Sequence, residues 1–152
     1  MAYQKLQTYQ AIQVIKDDNI IIPAPNEVAK GTTNGTGAGL LIDSSAKFLT
    51  TASVGDVIYN TSDNTITTVL AVDSDIQLQV GTTFAAVKNY TIYSQGLNEG
   101  CILYVGGDGN VVVETVAGNE VTFTGVVAGT FMPVQVLKVK ANTTATDIIA
   151  MW

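Results

Sequence analysis

Over residues 101–152 short β-branched and aromatic runs are cut, every few positions, by Gly, Asn and Asp. Residues 101–105 are apolar, Gly106-Gly107-Asp108-Gly109-Asn110 is turn-forming, and Val111, Val112, Val113 and Val116 form the next apolar run. Ala117-Gly118-Asn119 marks a second turn, after which Val121-Thr122-Phe123-Thr124 alternates. Val121 and Phe123 fall on one face and the threonines on the other. Runs of about four to eight such residues between turn formers are the signature of strands and hairpins. Nothing in this stretch repeats at helical spacing. Thr143-Thr144-Ala145-Thr146 leads through Asp147 into Ile148-Ile149-Ala150-Met151-Trp152, which ends on the single tryptophan. Apolar weight there predicts a strand docked into a sheet, because a loose segment gains nothing from Ile, Met and Trp.

The earlier chain carries the same signals less regularly. Residues 1–10 are polar with two tyrosines and read as an N-terminal arm. Residues 11–15 are strand-like, Asp17-Asp18-Asn19 is an Asx turn, and Ile20-Ile21-Ile22 is a short strand stopped by Pro23 and Pro25. Residues 31–39 (Gly-Thr-Thr-Asn-Gly-Thr-Gly-Ala-Gly) read by composition as a flexible linker. They do not form a phosphate loop, since no lysine follows at the required place. Beyond them, Leu40-Leu41-Ile42, Val57-Ile58-Tyr59 and Tyr90-Thr91-Ile92-Tyr93 are strand runs. Ile66, Thr68, Leu70 and Val72 share one parity, as do Ile76, Leu78 and Val80 across an Asp73-Ser74-Asp75 turn, with Gln77 and Gln79 on the wet face. In the last third Val134 and Val136 share a face while Leu137 and Val139 take the other. That strand is either buried on both sides or bulged near Val136-Leu137.

The expected fold class is therefore all-β: two small β-sandwich or barrel modules, the second inserted into the first. The boundaries read from sequence are 1–10 for the arm, 11–37 plus 97–152 for a discontinuous module, and 38–96 for the insertion.

Composition narrows the functions. There is no histidine and no arginine, the seven basic residues are all lysines, and the net charge is −6. A reader of nucleic acid needs clustered Lys and Arg, so no nucleic-acid partner is expected. No apolar run is long enough for a membrane helix, and the first residues lack the apolar core of a secretion signal, so no membrane association is expected. Without histidine neither the lone Cys101 nor any serine has the usual activating base, and Cys101 beside Ile102 and Leu103 reads as a small buried hydrophobe. The pairs Asp17/Asp18 and Asp73/Asp75 sit at turns, where Asp serves the backbone. Asp108 lacks the remaining ligands of a calcium loop. The expectation is no catalytic residue, no cofactor, no metal and no enzyme. Charged residues are only 13% of the chain, so its polar surface is built mainly from Thr, Asn, Ser, Gln and Gly. Such a surface repels little and suits packing against another protein.

The pattern Leu103-Tyr104-Val105-Gly106, Gly109-Asn110-Val111, residues 121–126 (Val-Thr-Phe-Thr-Gly-Val), Ala128-Gly129-Thr130, Pro133-Val134 and Thr143-Thr144-Ala145-Thr146 through Ile149-Ala150 resembles the spike-base family. These are virion proteins of tailed phages and of phage-derived gene transfer agents. The resemblance covers the last third and, more weakly, residues 11–23; a long segment in the middle is a departure from the family. It implies a structural role on a particle surface and no chemistry. The expected function is that of a capsid decoration (cement) or head-spike base subunit on the virion surface, made in the host cytoplasm. Its partners would be copies of itself, as a trimer or pentamer, and the major capsid protein. The interface candidates are Tyr3, Tyr9, Ile20, Ile22, Met151 and Trp152. The alternative is a tail-fibre or receptor-binding module gripping carbohydrate through Tyr3, Tyr9, Tyr59, Tyr90, Tyr93 or Tyr104.

Overall fold

The computed structural model describes residues 8–95 and 99–152. Tyr3 and most of the expected arm lie outside them. In chain order the strands are β1 (Ala11–Gln13), β2 (Glu27–Thr32), β3 (Leu40–Ile42), β4 (Val57–Asn60), β5 (Thr65–Ser74) and β6 (Gln77–Val80). They continue as β7 (Asn89–Tyr93), β8 (Cys101–Gly107), β9 (Gly109–Thr115), β10 (Glu120–Val126), β11 (Thr130–Val139) and β12 (Thr146–Met151). A four-residue helix, α1 (Phe48–Thr51), precedes β4. The chain is all-β and divides into two compact units: Met1–Pro25 with Asn98–Trp152, and Asn26–Leu97 inserted between them.

The outer unit is one antiparallel sheet in the order β1-β12-β8-β11-β9-β10. Period-two alternation builds its core: Cys101, Leu103 and Val105 from β8, Val111 and Val113 from β9, and Ile148 and Ala150 from β12 all point inward. The last apolar run is thus a strand held between β1 and β8. Strand β11 bends to serve two neighbours, pairing first with β8 and then with β9. Pro133 lies inside the first irregularity, where a residue without an N–H forfeits no ladder bond. In the second, Val136 faces Thr115 and Lys138 faces Glu114, so Leu137 is the extra residue of a bulge. The bulge is what lets Val136 and Val139 both face inward, three positions apart, and it decides between the two sequence readings of this strand.

The turn from β8 to β9 is fixed by close approach. Gly109 has φ +154°, and a Cβ there would stand 2.4 Å from the Ala145 nitrogen. The chain before β12 crosses at this point, with Thr144 N–H donating to the Asn110 carbonyl (2.9 Å). Thr143 clips it down: its hydroxyl accepts from Val112 N–H (2.9 Å) and donates to the Val112 carbonyl (3.1 Å).

The inserted unit is a second antiparallel sheet, in the order β2-β7-β4-β5-β6-β3. It curls into a half-barrel, the chain beyond β2 reaching β3 through a Gly35–Ile42 bridge and an Asn34 N–H to Ile42 carbonyl bond of 3.0 Å. Leu41, Phe48, Ile58, Val69, Leu78, Val80, Phe84, Tyr90 and Ile92 fill the interior.

Four local expectations are corrected. The insertion begins at residue 26 and not at 38, because β2 pairs with β7 along five positions. The stretch 31–39 is no linker: Thr33 is buried, its hydroxyl donating to the Ala85 carbonyl (2.7 Å) and accepting from Lys88 N–H (2.9 Å). Glycine there makes room, since a Cβ on Gly31 would lie 2.4 Å from an Asp43 carboxylate oxygen and 2.7 Å from the Tyr90 hydroxyl. In β5 the even-numbered parity holds at Val72, which packs on the core, and fails before it: a register shift puts Val69 inward and leaves Leu70 56% exposed, and Ile76 at the turn is also exposed. Leu78 and Val80 do face the core, and Gln77 and Gln79 both donate to the Asp73 carboxylate. Residues 20–22 form no strand. The Asp17 carboxylate accepts from the N–H groups of Asn19 and Ile20, and Ile22 N–H donates to the Leu137 carbonyl at 2.9 Å.

Candidate interaction surface

The polar groups that could have carried chemistry are engaged in holding the backbone. Asp108 accepts from Ala128 N–H (2.5 Å), Asp18 from Ala141 N–H (3.0 Å) and Asp75 from Leu49 N–H (3.3 Å). Cys101 is buried with its thiol directed at the Val136 carbonyl (3.4 Å), and burial pushes its pKa up to about 12. Among the described residues no three of His, Cys, Asp and Glu are grouped to hold a metal ion. The most charged assembly of the outer unit centres on Glu114, whose carboxylate binds the Lys138 (3.0 Å) and Lys140 (3.2 Å) ammonium groups; Lys140 also meets Glu120 at 3.6 Å. Those lysines hold the Glu114 carboxyl below the usual carboxylate range. An open depression of about 470 Å³ beside it is lined by Asp18, Asn19, Glu120, Lys140 and Asn142.

Large hydrophobics are exposed singly on the inserted unit, at Leu49, Val54, Leu70 and Val87, and the outer unit adds a face and an edge. The face is the side of the sheet turned away from its core. Directly opposed residues share a face, so Ile149, Tyr104 and Phe131 stand in a row across β12, β8 and β11. Phe131 is 62% exposed, its ring tilted against that of Tyr104 at a centroid distance of 5.1 Å. A second row, Ala11, Met151 and Ile102, runs alongside. This is an apolar strip where a water-facing sheet normally carries polar side chains.

The edge is β10. It leaves β9 by a tight connection in which Thr115 N–H donates to the Asn119 carbonyl (2.9 Å) and Gly118 N–H to the Thr115 carbonyl (2.8 Å), Gly118 taking φ +81°. That is a turn closed by a glycine bulge. Counting from the Thr115–Asn119 pair, alternation makes Val113–Val121 a bonded pair and Val112–Thr122 a non-bonded one. Val112 confirms this, because its N–H and carbonyl are both taken up on its other side by Thr143 and by Lys140 N–H. Thr122 therefore turns its own N–H and carbonyl away from the sheet, and Glu120 and Thr124 share that orientation. Phe123 packs on the core from the inner face, and Val121 beside it is 38% exposed. The opposite edge, β1, is only three residues long. Next to it Tyr9 N–H donates to the Trp152 carbonyl (2.7 Å) and Trp152 N–H to the Gln10 carbonyl (3.0 Å).

The interface candidates scatter over this unit. Tyr9 is 83% exposed, Ile20 and Met151 are half-buried, Met151 on the apolar face, and Trp152 packs against the core. Ile22 is corrected: at 2% exposure it is a core residue beside Val14, while its neighbour Ile21 is exposed. Tyr3 lies outside the described residues. Sequence reading missed Phe131 and Thr122. The signal for Phe131 was its position between Thr130 and Met132, where an inward Met puts Phe outward. For Thr122 no signal existed without the pairing partner of Val112. Comparison with models of known families, with curated proteins and with solved structures finds no match for this chain.

Proposed function

We propose that this chain is a structural subunit of a bacteriophage particle, a capsid decoration or head-spike base protein that assembles with copies of itself and with the major capsid protein. The observation that carries the reading is the apolar row Ile149, Tyr104 and Phe131 on the side of the sheet away from its own core. Such a row is costly in water and gains when another protein covers it. The residues of the spike-base resemblance build this same unit: Tyr104, Ile149 and residues 121–126 lie on its face and edge. The low charge of the chain fits close packing between subunits as well.

Purified particles of the phage that encodes the chain provide the test. Mass spectrometry should find it in fixed proportion to the capsid protein, and a cryo-electron map should place the outer unit at the shell surface. Particles that lack it would remove the reading. Phe131→Asp puts a charge on an already exposed position, so the fold should survive while incorporation into particles falls at least tenfold.

A further inference from the structure

We infer that β10 is a self-association strand, pairing antiparallel with β10 of a second copy about a two-fold axis through Thr122. The inference rests on the structural-subunit reading and names the contact through which copies meet.

A water-facing strand edge is normally blunted by brevity, by proline, by lysine or by inward charge. Strand β1 is short. Strand β10 is seven residues long, has no lysine or proline, and carries a single charge at its first position, Glu120. Its outward backbone groups are those of Glu120, Thr122 and Thr124, at every second residue, which is the spacing a further antiparallel strand requires. Among the described residues nothing caps the backbone of Thr122.

The occupant follows from the side chains. Residues 120–124 read Glu-Val-Thr-Phe-Thr, a polar–apolar–polar–apolar–polar order that is the same in both directions about Thr122. An antiparallel copy centred there sets Thr122 against its own counterpart and Glu120 against Thr124. It sets Val121 against Phe123, twice. Both apolar pairs fall on the inner face, extending the core cluster that Phe123 already touches and covering the exposed side of Val121. The one charged residue never meets itself, which is the condition a two-fold strand contact must satisfy to avoid like-charge repulsion. Further along, Gly125 takes φ +64° and the register shifts between Phe123 and Val126, so the regular edge ends just where the symmetric segment ends. The contact is two-fold: it links copies in pairs, and a three- or five-fold ring would need a second contact.

The test uses the full chain with Thr122→Lys and Thr122→Glu. Thr122 is exposed on the face away from the core, so both variants should melt as the original chain does. Analytical ultracentrifugation of the original chain should show a monomer–dimer equilibrium. Each variant alone places like charges on the axis, and its dissociation constant should rise roughly fivefold to tenfold. An equimolar mixture of the two should associate at least as tightly as the original chain. An original chain that stays monomeric to millimolar concentration overturns the inference, as do variants that dimerise unchanged alone and in mixture. Neither outcome touches the particle reading, which falls only if the chain is missing from particles.

Discussion

In the inserted unit the chain beyond β2 runs on to reach β3, and the Gly35–Ile42 bridge draws the two ends of the sheet toward each other as a half-barrel. In the outer unit the sheet stops at β10, with Thr122 turned to water and Phe131 standing out from the far face. Each unit has a continuous apolar interior of comparable make-up. The Gly35–Ile42 bridge occupies part of the backbone edge that an open sheet must otherwise protect. On the proposed reading, the long bare edge of β10 and the apolar row make the outer unit the one through which copies meet. Two cores also mean that damage to one need not be damage to the other.

The heaviest blow to the comparison is struck at Gly109. Its φ of +154° and the Ala145 backbone 2.4 Å from the Cβ position leave no room for a side chain, and backbone atoms cannot swing aside. Gly109→Ala should cost the outer unit about 3–5 kcal/mol, as strain and steric conflict at one site together can. Hydrogen exchange read by mass spectrometry should show β8, β9 and β12 losing protection while β4 and β7 keep theirs. If the barrel strands lose protection to the same degree, the units are one cooperative structure and the contrast drawn between them is wrong.

Inside the barrel the corresponding weak point is polar. The Tyr90 hydroxyl donates to the Asp43 carboxylate (2.7 Å) across the space that Gly31 leaves open, and both side chains are almost fully buried. Burial works to raise the Asp43 pKa, but hydrogen bonds from Ser45 and Tyr90 outweigh it and hold the carboxyl below its ordinary range. Burial, with the hydrogen bond and charge of Asp43, pushes the Tyr90 phenol well above its ordinary range. The signs follow by linkage. A depressed Asp43 contributes stability above its unfolded pKa of about 3.9 and loses it as pH falls through the lower folded value. A raised Tyr90 contributes stability below about pH 10 and loses it as pH rises through the higher folded value. Tyr90→Phe should therefore cost the barrel about 1–3 kcal/mol at neutral pH, the range for leaving a buried acceptor short of a partner. Melting curves between pH 2 and pH 11 should show the alkaline loss reduced and the acid loss also reduced, because the folded Asp43 value moves back toward the unfolded one. An unchanged acid limb would mean that Ser45 alone holds the Asp43 carboxylate.

How much of this was legible beforehand differs between the units for the same physical reason. Strands of the outer unit announce themselves because one face is apolar and the turns are Gly and Asn; Val121 and Phe123 fall inward as their alternation requires. Alternation cannot report a register shift, which is why Leu70 was expected inside and Val69 outside. Nor can composition tell a glycine that loosens the chain from one that admits a neighbour. Gly31 looked like linker and is a strand residue beneath a tyrosine. Ile22 looked like a spare hydrophobe because its place in the core depends on an N–H bond to Leu137, over a hundred residues away in sequence. The open edge was legible only in outline. Which backbone groups of β10 face water is decided by what Thr143 and Lys140 do to Val112, and no local pattern encodes that.

The smallest expected effect separates the two units by how their charges feel salt. Asp43 is buried and its partners are neutral hydroxyl and amide groups, so ions in solution should barely alter its contribution. Glu114 sits on the outer sheet with 24% of its side chain exposed, and its partners are the Lys138 and Lys140 ammonium groups. Hydrogen bonds and charge from those lysines lower its pKa, so the stability it contributes is present above its unfolded pKa of about 4.3 and disappears as pH falls through the folded value. Networks at a sheet surface, even half-buried ones like this, contribute modestly and are partly screened over a Debye length of roughly 8 Å at physiological salt. Glu114→Gln should therefore lower the melting temperature of the outer unit slightly at pH 7 and low salt. The gap from the original chain should narrow in about 1 M salt, where the Debye length falls to roughly 3 Å, and close once the pH has fallen through the lowered folded value, where both chains carry a neutral side chain at this position. For Tyr90→Phe the gap should persist at high salt. Should the Glu114 gap also persist at high salt, the carboxylate would be acting through its hydrogen-bond geometry, as Asp43 does, and the electrostatic half of the contrast would fail.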